Sequence, residues 1–145
     1  MSVLDSTATE LLAELAAGNT SSLELTQAYL DQIDKCDDEI GAFLSVDAEQ
    51  SLTRAKWIDQ QRQAGEQVGV LAGLPVAVKD VLCTKRWTTT CGSRMLEHFV
   101  PPYNATVIDK LLAAGAVLIG KTNMDEFAMG GSTENSAFKP TRNPW

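Results

Sequence analysis

The chain has 145 residues, of which 44% are hydrophobic and 21% are charged, a composition typical of a globular domain with a sizeable core. Its formal net charge of -7 argues against direct binding of nucleic acid by this segment, because a negative field repels polyanions. The first residues lack a basic stretch followed by an apolar one, and no apolar run approaches the roughly 20 residues of a spanning helix. We therefore predict no membrane association and a cytoplasmic location, or an organelle matrix or stroma in a eukaryote.

Two helices are predicted near the N-terminus. Thr7 followed by Glu10, and Ser21 followed by Glu24, each fit the capping box, in which two side chains satisfy the free backbone donors of a new helix. The first helix is expected to end near Gly18, and the second carries an apolar stripe at helical spacing. Both patterns are typical of helices that cover a core.

A strand and a third helix are predicted next. Residues 42–46 favour a short strand, after which Asp47 with Gln50 opens a helix that runs to about Ala64. Residues 70–82 are then almost wholly apolar, and we expect residues 75–78 to form a central strand that is buried on both faces.

The last predicted pair is a helix followed by a buried strand. Asn104 is expected to cap the helix, Gly115 to end it, and residues 116–119 to form the strand. Alternating helices and strands predict an α/β fold: N-terminal helices followed by part of a mixed, largely parallel sheet flanked by helices. We expect residues 1–145 to be the N-terminal part of one domain, mainly helical over 1–66, with its α/β core beginning in 67–145.

In such sheets, functional side chains lie just past the carboxyl ends of the strands. Lys79-Asp80 and Lys121-Thr122-Asn123 both occupy that predicted position. A lysine set in an apolar strand must reach water or lose its charge, and a lowered pKa would make it a base. From the residues alone, a lysine that keeps its ammonium solvated or pairs with Asp80 is favoured over a base.

Two other motifs allow a functional interpretation. The pattern G-x-x-x-x-G-K-[ST] is present from Gly115 to Thr122, but a phosphate loop needs a curled segment after a strand, and here the segment itself favours a strand after a helix. We therefore reject that interpretation. The small-residue loop at 129–133 would let a ligand approach the backbone closely, although it could also be an ordinary turn.

The histidine and cysteines suggest no separate catalytic or metal site. His98, the sole histidine, lies just before a proline pair and is expected in a loop, so a triad based on histidine is disfavoured. Cys36, Cys83 and Cys91 are widely spaced and form no C-x-x-C pair, which indicates neither a disulfide framework nor a zinc site. Cys83 and Cys91 favour buried apolar roles, and we predict no metal site in the chain.

Three segments together resemble the amidase signature family in content, order and spacing. They are residues 73–80 (GLPVAVKD), 90–93 (TCGS) and 120–127 (GKTNMDEF). Within that family, further segments are similar to the A subunits of glutamyl-tRNA(Gln) amidotransferases: residues 124–130 (MDEFAMG), 132–136 (STENS) and 140–145 (PTRNPW).

The resemblance implies a Ser-Ser-Lys triad, in which one serine forms an acyl-enzyme, a second serine in a cis peptide relays the proton, and a lysine is the base. It assigns Lys79 as that lysine and places Gly131 and Ser132 in the substrate pocket. Both family serines follow the Asn-Pro-Trp segment, so we expect them beyond Trp145. Arg86 stands where the family usually has a turn glycine, which leaves the loop after Lys79 open.

The resemblance also implies a heterotrimer that converts Glu-tRNA(Gln) to Gln-tRNA(Gln). Its A subunit would hydrolyse glutamine, a B subunit would bind the tRNA and use ATP with Mg, and a C subunit would bridge the two. This chain itself is expected to bind no cofactor. Two alternatives stay open, namely a stand-alone amidase for small amides and a short non-catalytic binding module.

Overall fold

The computed structural model describes residues 3–145. Helices and strands alternate in those residues, which confirms the α/β class. The helices are α1 (Ala8–Ala17), α2 (Ser22–Ile40), α3 (Ala48–Gln63) and α4 (Thr106–Ala113), and the strands are β1 (Phe43–Val46), β2 (Pro75–Lys79) and β3 (Val117–Thr122). Single turns of 3-10 helix occupy Val3–Asp5, Arg94–Leu96 and Glu126–Ala128. In the part of the chain described here, no helix is long and apolar enough to cross a membrane.

The predicted helix starts are confirmed for α1, α2 and α3. The Thr7 hydroxyl accepts the Glu10 amide at 3.3 Å while the Glu10 carboxylate accepts the Thr7 amide at 2.7 Å. Ser21 and Glu24 exchange the same pair of bonds at 3.1 and 2.9 Å. These hydrogen bonds, the one from the Thr7 or Ser21 amide first, lower the pKa of both glutamates. The Asp47 side chain caps α3, and Gly18 ends α1 as predicted.

The predicted cap of α4 is wrong. Asn104 lies two residues before the helix, and the carbonyl of Ala105 accepts the first helical bonds. The Asn104 amide group instead ties the loop to the helix, because its oxygen accepts the Lys85 amide at 2.6 Å and its nitrogen donates to Asp109 at 2.8 Å. A short polar side chain beside a helix start therefore serves tertiary packing rather than capping.

The described chain divides into two compact units, and the first contains residues 3–33, 47–76 and 110–119. Its core is made of buried apolar side chains from α1, α2, α3, the segment before β2 and the first half of β3. One cluster contains Leu11, Leu15, Leu25 and Leu74, and the other contains Leu30, Ala55, Ile58, Ala72, Val117 and Ile119. The second unit contains residues 34–46, 77–109 and 120–145. Whether the chain is the N-terminal part of one domain stays a prediction.

The sheet has the order β1-β3-β2. β1 runs antiparallel to β3, with Phe43 opposite Thr122 and Val46 opposite Gly120. β2 runs parallel to β3, because the hydrogen bonds between them advance in the same direction along both strands, from Val117 to Leu74 and from Asp80 to Thr122. The predicted mixed sheet is confirmed.

The predicted central position of β2 is wrong, because β3 has the neighbours on both sides. All residues of β3 except its last are buried, whereas in β2 only Val78 is buried and Ala77 and Lys79 are exposed. β3 also extends further than predicted, so that Lys121 and Thr122 lie within the strand and not past its end. β3 occupies the positions at which a phosphate loop would have a curled segment, and the element before it is a helix, α4. The rejection of the phosphate-loop interpretation is therefore confirmed.

Candidate functional site

Lys79 is the last residue of β2 and lies in the second unit. Its side chain is exposed on the same face of the strand as Ala77, because side chains alternate along a strand. Its ammonium makes no hydrogen bond or ion pair with any residue from 3 to 145. The alternative in which Lys79 pairs with Asp80 is therefore wrong, since the Asp80 carboxylate is occupied elsewhere.

The buried lysine of this unit is Lys121, in the middle strand. Its side chain is 1% exposed, and its Nζ atom lies 3.1 Å from Oδ1 of Asp80, which is also 1% exposed. The same ammonium donates hydrogen bonds to the Thr89 hydroxyl at 2.8 Å and to the Leu82 carbonyl at 3.0 Å. Three oxygen atoms therefore surround the ammonium, two as hydrogen-bond acceptors and Oδ1 of Asp80 as its ion-pair partner, as a buried charge requires.

The electrostatics of this pair are dominated by burial. Burial lowers the pKa of Lys121 below the ordinary value of a lysine, and the neighbouring Asp80 carboxylate opposes part of that shift. Oδ1 of Asp80 receives no aligned hydrogen bond from the protein, so the ion pair is its only polar contact within residues 3–145. Each charge consequently depends on the other.

Asp80 connects Lys79 to the following loop. Its backbone amide donates to the Thr122 carbonyl at 3.1 Å, and its own carbonyl accepts the Cys91 amide at 3.2 Å. Its second carboxylate oxygen, Oδ2, accepts both the backbone amide of Thr90, at 2.9 Å, and the Thr90 hydroxyl. The residue that follows Lys79 is thus fixed through its backbone and through both carboxylate oxygens.

The loop at 90–93 in turn contacts the segment that follows β3. The Gly92 carbonyl accepts the Ala137 amide at 2.8 Å, and the Cys91 carbonyl accepts the Phe127 amide at 2.8 Å. Gly92 has a φ of 67°, and a Cβ atom added there would lie 2.6 Å from the Met124 carbonyl oxygen. Only glycine fits such an approach without displacing the backbone.

The predicted pocket residues lie in a loop that surrounds the Asp125 carboxylate. Asp125 is buried and accepts the backbone amides of Ser132 at 3.0 Å, Thr133 at 3.1 Å and Asn135 at 2.9 Å. These hydrogen bonds, that of Asn135 first, lower its pKa. Gly131 and Ser132 are exposed, and no hydrogen bond joins either of them to Lys79. Lys79 and the loop share a unit and are linked through Asp80, Thr90 and Gly92.

Arg86 occupies a turn that favours glycine. The Trp87 amide donates to the Thr84 carbonyl at 3.1 Å, which closes a four-residue turn. Arg86 is the third residue of that turn and has a φ of 71°, in the left-handed region. Glycine is preferred at this position of a type II turn, so the turn after Lys79 forms despite an unfavourable residue.

Neither His98 nor the nearby cysteines form a second nucleophilic site. His98 is exposed in a loop, as predicted. Burial raises the pKa of the Cys91 thiol, and the Asp80 carboxylate raises it further. A protonated thiol is a poor nucleophile, but Cys83 and Cys91 are each only partly buried, so the prediction that both are buried is wrong. Within residues 3–145, no group of three or more His, Cys, Asp or Glu side chains could hold a metal ion.

Comparison with known proteins identifies the family. A family model described as Amidase matches residues 24–145. The chain belongs to the amidase family. Over 96% of this amidase chain, the sequence is 57% identical to the A subunit of a glutamyl-tRNA(Gln) amidotransferase from Acidothermus cellulolyticus, of which the chain covers 28%.

Solved structures agree with this assignment. The glutamyl-tRNA(Gln) amidotransferase A subunit from Thermotoga maritima has a TM-score of 0.76 and 39% identity over 97% of this chain and 28% of that one. A peptide amidase from Stenotrophomonas maltophilia has a TM-score of 0.82 and 32% identity over 90% of this chain and 27% of that one. The amidase chain thus spans under a third of the length of these relatives.

The sequence identifies Lys79 as a candidate site residue but does not predict the buried ion pair between Asp80 and Lys121. A usable signal was present, because Lys121 interrupts an apolar run just as Lys79 does. What the sequence lacked was the strand order, which determines that the lysine of the middle strand is the buried one.

Proposed function

We propose that the complete protein hydrolyses the side-chain amide of glutamine and is the A subunit of a glutamyl-tRNA(Gln) amidotransferase. The observation that carries this proposal is the identity of 57% and 54%, over 96% and 100% of the chain, to two proteins of that name. The specific segments 124–130 and 140–145 belong to the part of the chain that the second of these matches covers.

In this proposal, Lys79 is the base of a Ser-Ser-Lys triad. The lysine amine accepts a proton, through the second serine, from the serine whose Oγ attacks the amide carbon of glutamine. The proton then passes to the departing nitrogen, ammonia leaves, and water hydrolyses the acyl-enzyme to give glutamate. Both serines would come from the complete protein and not from residues 1–145.

The exposed position of Lys79 sets a condition on this chemistry. The serines that act with Lys79 must contact its amine, which in residues 3–145 lies on the exposed face of β2. In this proposal, further parts of the complete protein therefore cover that face around Ala77 and Lys79. Gly131 and Ser132 are proposed to line the pocket for glutamine, where a small-residue loop allows close approach.

The proposed assembly supplies the remaining chemistry. A B subunit would bind Glu-tRNA(Gln) and use ATP with Mg, and a C subunit would bridge the A and B subunits. The amidase subunit would bind neither ATP nor metal and would deliver ammonia. This division is consistent with the net charge of -7, which disfavours direct contact between this segment and tRNA.

A second candidate is a stand-alone amidase for small amides. The likeness to the peptide amidase from Stenotrophomonas maltophilia, with a TM-score of 0.82, favours it. Co-purification separates the two candidates. The amidotransferase subunit should purify with two partners, and its glutamine hydrolysis should rise in their presence. A complete protein that hydrolyses small amides and never associates with partners would overturn the first proposal.

Activity measured in two lengths of chain tests the triad. The complete protein should release ammonia from glutamine, whereas residues 1–145 alone should neither release ammonia nor form an acyl-enzyme, because a lysine base lacks an attacking atom. Glutamine turnover by the pure 145-residue chain would contradict this assignment. The binding-module alternative is tested by reading the coding sequence past Trp145, where an immediate stop codon would support it.

A further inference from the structure

The Asp80 carboxylate has two separable contacts. Oδ1 faces the ammonium of Lys121 at 3.1 Å, and Oδ2 accepts the amide and the hydroxyl of Thr90. The first contact balances a charge, and the second fixes the start of the 90–93 loop. Since both oxygens belong to the residue bonded to Lys79, either contact could affect the position of the proposed base.

Thr90 extends the second contact towards the predicted pocket. Its hydroxyl also accepts the Gly92 amide at 3.1 Å, and Gly92 packs against the Met124 carbonyl. The next residue, Asp125, holds the amides of Ser132 and Thr133. A continuous series of contacts therefore leads from the end of β2 to the loop that contains Gly131 and Ser132.

We propose that Asp80 is a positioning residue. Through its contact with Thr90, it holds Lys79, the proposed base, at a fixed distance from the small-residue loop at 129–133. This inference rests on the proposed function, because it presumes that Lys79 and the loop act on one substrate. The decisive contact is the Oδ2 acceptor for Thr90, while Oδ1 lies 3.1 Å from the Lys121 ammonium. Reacting groups that move by about 1 Å can lose about a hundredfold in rate, which gives such a contact kinetic weight.

Two double variants of the complete protein separate the acceptor from the charge. Asp80→Asn/Lys121→Met removes both charges but leaves a side-chain oxygen that can accept from Thr90. Asp80→Leu/Lys121→Met removes both charges and the acceptor, with side chains of similar size. Both variants lack the ion pair, so a difference between them reports the loss of the polar side chain that accepts from Thr90.

The two oxygen atoms other than Asp80 that the Lys121 ammonium contacts keep other hydrogen bonds in both variants. The Leu82 carbonyl keeps the Thr84 hydroxyl at 3.0 Å, and the Thr89 hydroxyl retains the Trp87 carbonyl at 3.5 Å. Replacing a buried ion pair by apolar residues of similar volume is often neutral for stability, but the leucine variant also leaves the Thr90 amide and hydroxyl without their acceptor and should be the less stable of the two. Circular dichroism and thermal melting establish that the compared proteins are folded at the assay temperature.

The first readout is kinetic. We expect kcat for glutamine hydrolysis to be at least about tenfold lower in Asp80→Leu/Lys121→Met than in Asp80→Asn/Lys121→Met, because the groups are misplaced. A purely structural role would leave kcat equal in two folded variants. Thr90→Val, which keeps the Asp80–Lys121 pair but removes the hydroxyl, provides a further test and should also lower kcat.

The second readout, hydrogen exchange, is independent of activity. The amides of Thr90 and Gly92, and those of Ser132 and Thr133, should exchange faster in the leucine variant than in the asparagine variant. The amides of α3, in the other unit, should be unchanged.

Equal kcat and equal exchange in the two folded double variants would overturn the positioning role. If wild-type protein hydrolyses no glutamine, the proposed function fails. In that case, unchanged exchange at 132–133 would still overturn the inferred connection.

Discussion

Lys121→Met should locally destabilise the strand end next to Lys79. Lys121 and Asp80 are each 1% exposed, and the substitution removes the ion pair at 3.1 Å. Removal of one partner of a buried pair costs about 3–5 kcal/mol, because the remaining charge is uncompensated. Since Oδ2 of Asp80 keeps its two hydrogen bonds from Thr90, we expect the lower end, about 3 kcal/mol.

Hydrogen exchange in the complete protein measures this loss where it occurs. The amides of Asp80 and Cys91 donate to backbone carbonyls across this site and report its opening. A loss of about 3 kcal/mol corresponds to exchange that is faster by about a hundredfold or more. Asp80→Asn/Lys121→Met should recover most of the protection, because no charge is then left unpaired.

A matched control comes from the half-exposed ion pair of Lys139 with Asp37, at 3.6 Å. Lys139→Met should cost under about 1 kcal/mol, as exposed pairs do. Hydrogen exchange that is as slow in Lys121→Met as in wild type would refute the reasoning about the buried pair. Exchange that is as fast in Asp80→Asn/Lys121→Met as in Lys121→Met would refute it too.

Three further predictions concern the same unit and its turns. Arg86→Gly should raise the free energy of unfolding by about 1 kcal/mol, because glycine adopts a φ of 71° without strain, and chemical denaturation measures it. Gly92→Ala should destabilise by clearly more than Gly65→Ala in the same assay, since both have positive φ but only Gly92 approaches a carbonyl oxygen; equal losses would contradict the close approach. Burial lowers the pKa of Lys121 in the folded protein. Between this lowered pKa and the ordinary lysine pKa of about 10.4, the unfolded chain binds more protons than the folded protein, so the free energy of unfolding should rise with pH in wild type relative to Lys121→Met. Parallel pH profiles of the two proteins would contradict this prediction.

Local sequence patterns predicted the helices well, because their signals depend on neighbours three or four residues apart. The capping boxes at Thr7 and Ser21 and the terminal Gly18 lie where predicted. Asn104 failed because its amide found partners in Lys85, nineteen residues away, and in Asp109. A candidate cap can be recognised from sequence, but a competing long-range partner cannot.

The strands show the same limit. Alternation of apolar residues indicates a strand but carries no information about which neighbours it pairs with. The run at 75–78 therefore suggested a central strand although β2 lies at the edge, while Gly120 and Lys121 belong to the middle strand β3. The burial of Lys121, rather than Lys79, follows from this order and required the three-dimensional structure.

The candidate site was predicted from family resemblance more than from physical pattern. Position alone left Lys79 between a solvated lysine and a base, and its exposure in residues 3–145 is consistent with the solvated state of this chain. The contacts of the Asp80 carboxylate were not predicted, because its partners Thr90 and Lys121 are ten and forty-one residues away along the chain.

Glutamine hydrolysis by Lys79 variants of the complete protein tests the proposed mechanism most directly. Lys79→Ala and Lys79→Arg should each lower kcat by at least about a thousandfold, since alanine has no base and guanidinium does not deprotonate. Lys85→Ala, an exposed lysine in the following loop, is the matched control and should retain activity. Folded Lys79 variants that release ammonia from glutamine at near wild-type rates would contradict the assignment of Lys79 as the base.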